Sequence, residues 1–145
     1  MKRRQVRRPP PQPRCVLDSG GLTALVGGSH HAREWLRWII AHEGIIQVPT
    51  PVLVECTTGD GARDAEVNRI VGILERAAAV LEAPDEDICR RAGRLRFRAG
   101  SDDGIDALVA SAAVGDGSPA VVLTSDPDDL ERLLVSEPQV QVRTV

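Results

Sequence analysis

Short, wholly apolar runs alternate along the chain with longer stretches in which apolar residues recur every third or fourth position. The first pattern is that of buried strands, the second that of helices with one inward face. Cys15-Val16-Leu17 predicts a strand that stops at the turn-forming Asp18-Ser19-Gly20-Gly21, and a short helix over 22–26 ends at Gly27-Gly28. Ser29 suits the cap of a longer helix reaching about Glu43, in which Trp35, Trp38, Ile39 and His42 share a face. Residues 45–48 predict a second strand. Thr50 as a cap and Pro51 at the first helical position then begin a helix that carries Glu55 and ends near Gly59.

Residues 62–78 form a long amphipathic pattern with Val67, Ile70, Val71 and Leu74 inward, and Val80-Leu81 predicts a third strand. A helix from near Pro84 towards Arg98 starts with Asp85, Glu86 and Asp87, whose charges complement its positive end. After a loop over 101–104, helices over 105–114 and 127–135 enclose a strand at 120–123, and a last strand covers 140–142. Strands separated by helices predict a three-layer α/β/α sandwich around a central, mostly parallel sheet.

A chain of 145 residues can form one domain with its own core. Its formal net charge of −3 conceals a division. Residues 1–14 carry six basic residues, four prolines and no acid, and read as a disordered basic arm. Residues 15–145, the expected folded domain, carry the other 12 basic residues and all 21 acids, a net −9. Lys2 is the only lysine, which disfavours a phosphate-cradling loop, a Schiff-base enzyme and a receiver-type phosphoacceptor domain. With no tyrosine, one phenylalanine and two tryptophans in a single segment, the chain lacks the aromatics of a base-stacking platform. Cys15, Cys56 and Cys89 have no paired spacing and read as small core residues in a reducing cytoplasm. No apolar run approaches the ~20 residues of a membrane span.

The candidate chemistry lies in the placement of four acids. Asp18 and Asp126 each follow an apolar strand, so a parallel sheet puts both at its carboxyl edge, where open α/β folds bind ligands. Glu55 and Asp106 fall in the first turns of helices that start at the same edge. Taken singly, Asp18 reads as a turn residue, Asp106 as a helix-start acid and Asp126 as an N-cap. Glu55 stands among Val52, Leu53, Val54 and Cys56 with no basic partner in sequence, an apolar setting that is costly for a carboxylate. Together, four carboxylates in one pocket call for a divalent counter-ion, and oxygen-only donors select Mg²⁺ or Mn²⁺. Such an ion can activate a water and offset charge on a phosphate oxygen, which is phosphodiester hydrolysis.

Four segments carry a resemblance to a known family: Val16-Leu17-Asp18-Ser19, Val48-Pro49-Thr50-Pro51-Val52-Leu53-Val54-Glu55, Asp106-Ala107-Leu108-Val109-Ala110, and Val122-Leu123-Thr124-Ser125-Asp126. In order, spacing and element type the chain resembles the PIN-domain ribonucleases, and among them the VapC-like toxins. The resemblance implies a Mg²⁺- or Mn²⁺-dependent endoribonuclease, the toxin of a type II toxin–antitoxin system, that forms a homodimer and is held inactive by a cognate antitoxin. It also implies catalytic roles for Asp18, Glu55, Asp106 and Asp126, with Asp18, Asp106 and Asp126 on the metal. Thr124 is then expected to orient an acid or a metal-bound water. The family often has Ser or Asn two residues after its first acid; Gly20 stands there, and the neighbouring Ser19 is expected to substitute. Asp103 is a further supporting acid, with Asp102 beside it.

Arg91, Arg94 and Arg98 follow helical spacing just ahead of the acidic loop, and read either as a basic face that guides an RNA backbone towards the metal or as a solvated helix surface. His30, His31 and His42 read as surface residues, and the Cys15 and Cys56 thiols as unreactive in apolar runs. The expected protein is thus a cytoplasmic nuclease with RNA as substrate. The alternative is a catalytically inactive interaction protein of the same fold.

Overall fold

The computed structural model describes residues 12–145. Up to residue 11 the expected arm lies outside the described residues. Arg14, expected as the last residue of that arm, instead opens the first strand. Its guanidinium explains why: it donates to Ser118 Oγ (2.9 Å), Gln47 Oε1 (3.1 Å) and the carbonyls of Ala112, Ala113 and Ser118.

Five strands of the described residues form one sheet: β1 (Arg14–Leu17), β2 (Ile45–Pro49), β3 (Ala79–Glu82), β4 (Ala120–Thr124) and β5 (Val140–Thr144). Their spatial order is β3-β2-β1-β4-β5, and every pairing is parallel. Among the described residues seven helices connect and cover them: α1 (Ser19–Val26), α2 (His30–Ala41), α3 (Val52–Cys56), α4 (Gly61–Ala77), α5 (Glu86–Ala99), α6 (Gly104–Val114) and α7 (Pro127–Leu133). α1 touches α2, α3 and α4 in one layer, while α5, α6 and α7 touch one another in the other. The sandwich is therefore the expected α/β/α one, with a sheet that is wholly parallel.

Burial on both faces explains why the strands read as unbroken apolar runs. Val16, Leu17, Ile46, Val48, Val122 and Leu123 are all completely buried. Short polar side chains start the helices: Asp18, Ser29, Asp60, Asp85 and Asp103 each accept a hydrogen bond from a backbone amide of the first turn.

Four local expectations fail. The inward stripe of α2 is Ala32, Leu36 and Ile39, so Trp38 lies on the flank, 49% exposed, with its ring stacked on His42. Thr50 contributes its carbonyl rather than its hydroxyl to the start of α3, where no side chain caps the helix. That helix ends at Cys56 because Thr57 turns extended. Of the cysteines, Cys15 and Cys56 are buried as expected, but Cys89 is exposed.

Candidate active site

The sheet sets the site by register. Leu17 of β1 stands beside Leu123 of β4, so Asp18 and Thr124 leave the carboxyl edge side by side. The Asp18 amide continues that ladder by donating to Leu123 O. Asp18 then turns its carboxylate back as the α1 cap, accepting from the Gly21 amide at 2.6 Å. At 5% exposure, burial raises its pKa; the Thr124 hydroxyl and the Gly21 and Gly20 amides pull the other way, while Glu55 adds to the rise.

Asp106 occupies the first turn of α6, half-buried, with its amide held by the Asp103 cap at 2.9 Å. Its pKa is pushed up to about 6, first by burial and then by the charges of Asp103, Asp18, Glu55 and Asp126. Four acids contributed by β1, α3, the α6 cap and the end of β4 thus act on one carboxyl group. None of them belongs to an ion pair among the described residues, where the three ion pairs are Arg69–Glu66, Arg90–Glu86 and Arg132–Asp129. Asp102 is exposed.

Glu55 differs from its expected setting. It is exposed, as is Val54 at 71%, because α3 turns Val52, Cys56 and part of Leu53 inward and leaves the side chains between Leu53 and Cys56 outside. The expected cost of burying its charge therefore does not arise. Ser19 also differs: its hydroxyl donates to Glu55 Oε1 at 3.1 Å rather than serving Asp18. Thr124 accepts from the Asp126 amide at 3.0 Å, and its hydroxyl lies 3.1 Å from the Asp126 carbonyl. The single hydroxyl proton can serve either that carbonyl or the Asp18 carboxylate. Asp126 is exposed and does not cap α7, so the helix-capping explanation for this acid fails.

The donor set suits a hard divalent cation in charge and chemistry, since it offers carboxylate oxygens that form no ion pair among the described residues. Among the described residues, however, no three His, Cys, Asp or Glu side chains stand close enough to hold a metal ion. The acids share a field rather than a preformed ligand cluster. Sequence spacing did not reveal Arg63, at the start of α4, whose charge reaches the Cys56 thiol behind Glu55.

The three candidate arginines divide. Arg91 turns inward and donates to Ser111 O of α6 at 3.0 Å, while Ser111 Oγ donates back to Ile88 O at 2.8 Å. This residue ties α5 to α6. Arg94 and Arg98 remain outward, beside Arg90, Gly93 and Phe97.

A family model described as the PIN domain matches residues 15–133. The chain belongs to the PIN domain family. PIN domains are generally nucleases, and the arrangement of acids at the sheet edge accords with that class. In fold this PIN domain is similar to VapBC2 from Rickettsia felis, solved bound to a DNA fragment from its promoter, with 16% identity and a TM-score of 0.67 over 91% of this chain and 98% of that one. It is also similar to DNA-bound VapBC from Salmonella typhimurium, with 19% identity and a TM-score of 0.65 over 90% and 97% of the two chains. FitAcB from Neisseria gonorrhoeae gives 14% identity and a TM-score of 0.61 over 88% and 95%. A search of curated protein sequences gives no match. The PIN domain is VapC-like in fold, and among its described residues no helix is long and apolar enough to cross a membrane.

Proposed function

We propose that this PIN domain is a Mg²⁺- or Mn²⁺-dependent endoribonuclease, the toxin of a type II toxin–antitoxin pair, acting in the cytoplasm as a homodimer. The observation that carries the reading is Asp106, raised to about 6 by burial and by four surrounding carboxylates, none of which forms an ion pair among the described residues. Asp18, Asp106 and Asp126 would hold the ion, with Glu55 and Asp103 completing the negative field. A bound divalent ion supplies an activated water and offsets charge developing on a phosphate oxygen. The Gly21 amide and Thr124 keep Asp18 oriented, and Ser19 does the same for Glu55. Above about pH 6 Asp106 is ionised and ready to accept a cation or a proton. The VapBC and FitAcB likenesses support an antitoxin partner by analogy of fold.

Purified protein incubated with single-stranded RNA is expected to cleave it with Mg²⁺ or Mn²⁺ and to stop in EDTA. Asp106→Asn is expected to fold and to lose cleavage. Wild-type cleavage by that variant, or in EDTA, would remove the assignment. The alternative, an inactive interaction protein of the same fold, is favoured by the absence among the described residues of three acids within metal-holding reach. A thermal-shift titration with Mn²⁺ separates the two, since only a functional acid cluster gains stability as the ion binds.

A further inference from the structure

Helix α5 buries Ala92 and Leu95 against the fold and leaves an opposite stripe of Arg90, Arg94, Phe97 and Arg98, spaced by turns of the helix. Phe97 is the only phenylalanine of the chain and is 88% exposed. No core demands it at that position. Arg90 is engaged by Glu86 at 2.7 Å, whereas Arg94 and Arg98 make no ion pair or side-chain hydrogen bond among the described residues. Cations in the last turn complement the negative end of a helix, which accounts for Arg96 and Arg98 but for neither Arg94 nor Phe97. Gly93 sits in the helix interior, where glycine is unfavourable, yet a Cβ there would meet nothing. Its missing side chain leaves a depression bordered by Arg90, Arg94, Phe97 and Arg98.

We propose that this stripe is a docking face for single-stranded RNA, with one base stacked on the Phe97 ring and backbone phosphates held by Arg94 and Arg98. The proposal rests on the nuclease reading above. An exposed ring flanked by guanidinium groups matches an unpaired base with its phosphates in shape and in charge. A duplex keeps its bases stacked inside and has none to offer. The face also leads to the acids. α5 ends at Gly100 in the left-handed conformation, and the short connection that follows delivers the Asp103 cap and Asp106. A strand lying on the stripe is thereby directed towards the carboxyl edge of the sheet.

Binding of a short fluorescein-labelled single-stranded RNA to the full chain, followed by anisotropy in EDTA, tests the proposal. Phe97→Leu keeps apolar bulk but loses the ring face, and is expected to weaken binding about 5- to 150-fold, the loss typical of one stacked base. Phe97→Tyr is expected to bind as wild type does. Arg94→Ala and Arg98→Ala are each expected to lower the slope of log affinity against log salt by about 0.7, the value of one single-strand phosphate contact. Wild-type binding by Phe97→Leu, or equal affinity for duplex and single strand, overturns the proposal. So does a Phe97→Leu variant that binds RNA normally but sediments at lower mass, because the stripe is then a contact between copies. Metal-dependent cleavage that Phe97→Leu leaves untouched defeats the docking face alone. Phe97-dependent binding without any cleavage defeats the nuclease reading alone.

Discussion

Gly20, in the first turn of α1, lies directly against Ser125, just past the end of β4. A Cβ on Gly20 would stand 2.8 Å from the Ser125 amide nitrogen and 3.1 Å from its Cβ. Gly21 is as close to β4, where an added Cβ would stand 2.9 Å from the Leu123 carbonyl carbon. Two adjacent glycines let the helix start lie flush on the strand end. The first acid is thereby held beside the segment that carries the last one.

Gly20→Ala is therefore expected to destabilise the fold by about 1–3 kcal/mol, the usual cost of forcing an extra methyl into a filled contact. Urea unfolding measures it. Ser125→Gly added to Gly20→Ala clears the side chain but leaves the backbone nitrogen in place, so stability is expected to recover only in part. An unchanged midpoint for Gly20→Ala would show that the contact is absent.

The acid field makes a prediction about pH. Asp106 binds its proton more tightly folded, with a pKa of about 6, than its ordinary 3.8, and Asp18 is raised as well. The native state therefore holds more protons than the unfolded chain between about pH 4 and 6, and stability falls as pH rises through that window. Asp64 and Asp116, held low by hydrogen bonds, act in the opposite sense, but lose their contribution below the ordinary carboxylate range. Melting temperatures from pH 4 to 7 in EDTA should decline, and the decline should flatten in Asp106→Asn. At pH 7 that variant is expected to melt above wild type, while added Mn²⁺ stabilises wild type alone.

Thr124→Val removes the hydroxyl shared by Asp18 and Asp126 at nearly constant volume. Activity or metal affinity is expected to fall about 10- to 100-fold, as is usual when a group that orients a ligand is lost. Thr124→Ser is expected to retain most of it. Cleavage rates against Mn²⁺ concentration distinguish a weaker ion from a slower step.

Arg14→Ala is expected to cost about 3 kcal/mol or more, because it strips partners from three backbone carbonyls and from Ser118 and Gln47 at once. Arg14→Lys should recover little, since an ammonium cannot fork to five acceptors. Thermal unfolding decides both.

The order and type of the elements were legible because wholly buried strands and one-faced helices leave different periodicities. Asp18, Asp106 and Asp126 were placed correctly at one edge, since each adjoins an element whose direction the alternation dictates. The setting of Glu55 was not legible: its neighbours in sequence are apolar, but a helix as short as α3 buries Val52 and Cys56, packs Leu53 in part, and leaves Val54 and Glu55 outside. Arg91 was misread for a related reason. Three arginines at helical spacing look alike until α6 is in place, and only one of them reaches a carbonyl there. The exposure of Phe97 was hidden too, because a single aromatic residue on a helix carries no periodicity of its own.

Parallel strands in the order β3-β2-β1-β4-β5 put the earliest strand of the chain in the middle of the sheet. Asp18 therefore emerges first from the ribosome and waits for β4 and Asp126, more than a hundred residues later, before its neighbourhood is whole. No truncated product that stops short of β4 can assemble the acid edge. Under the proposed nuclease reading, the fold withholds any cutting of the translating cell's own RNA until β4 has been made.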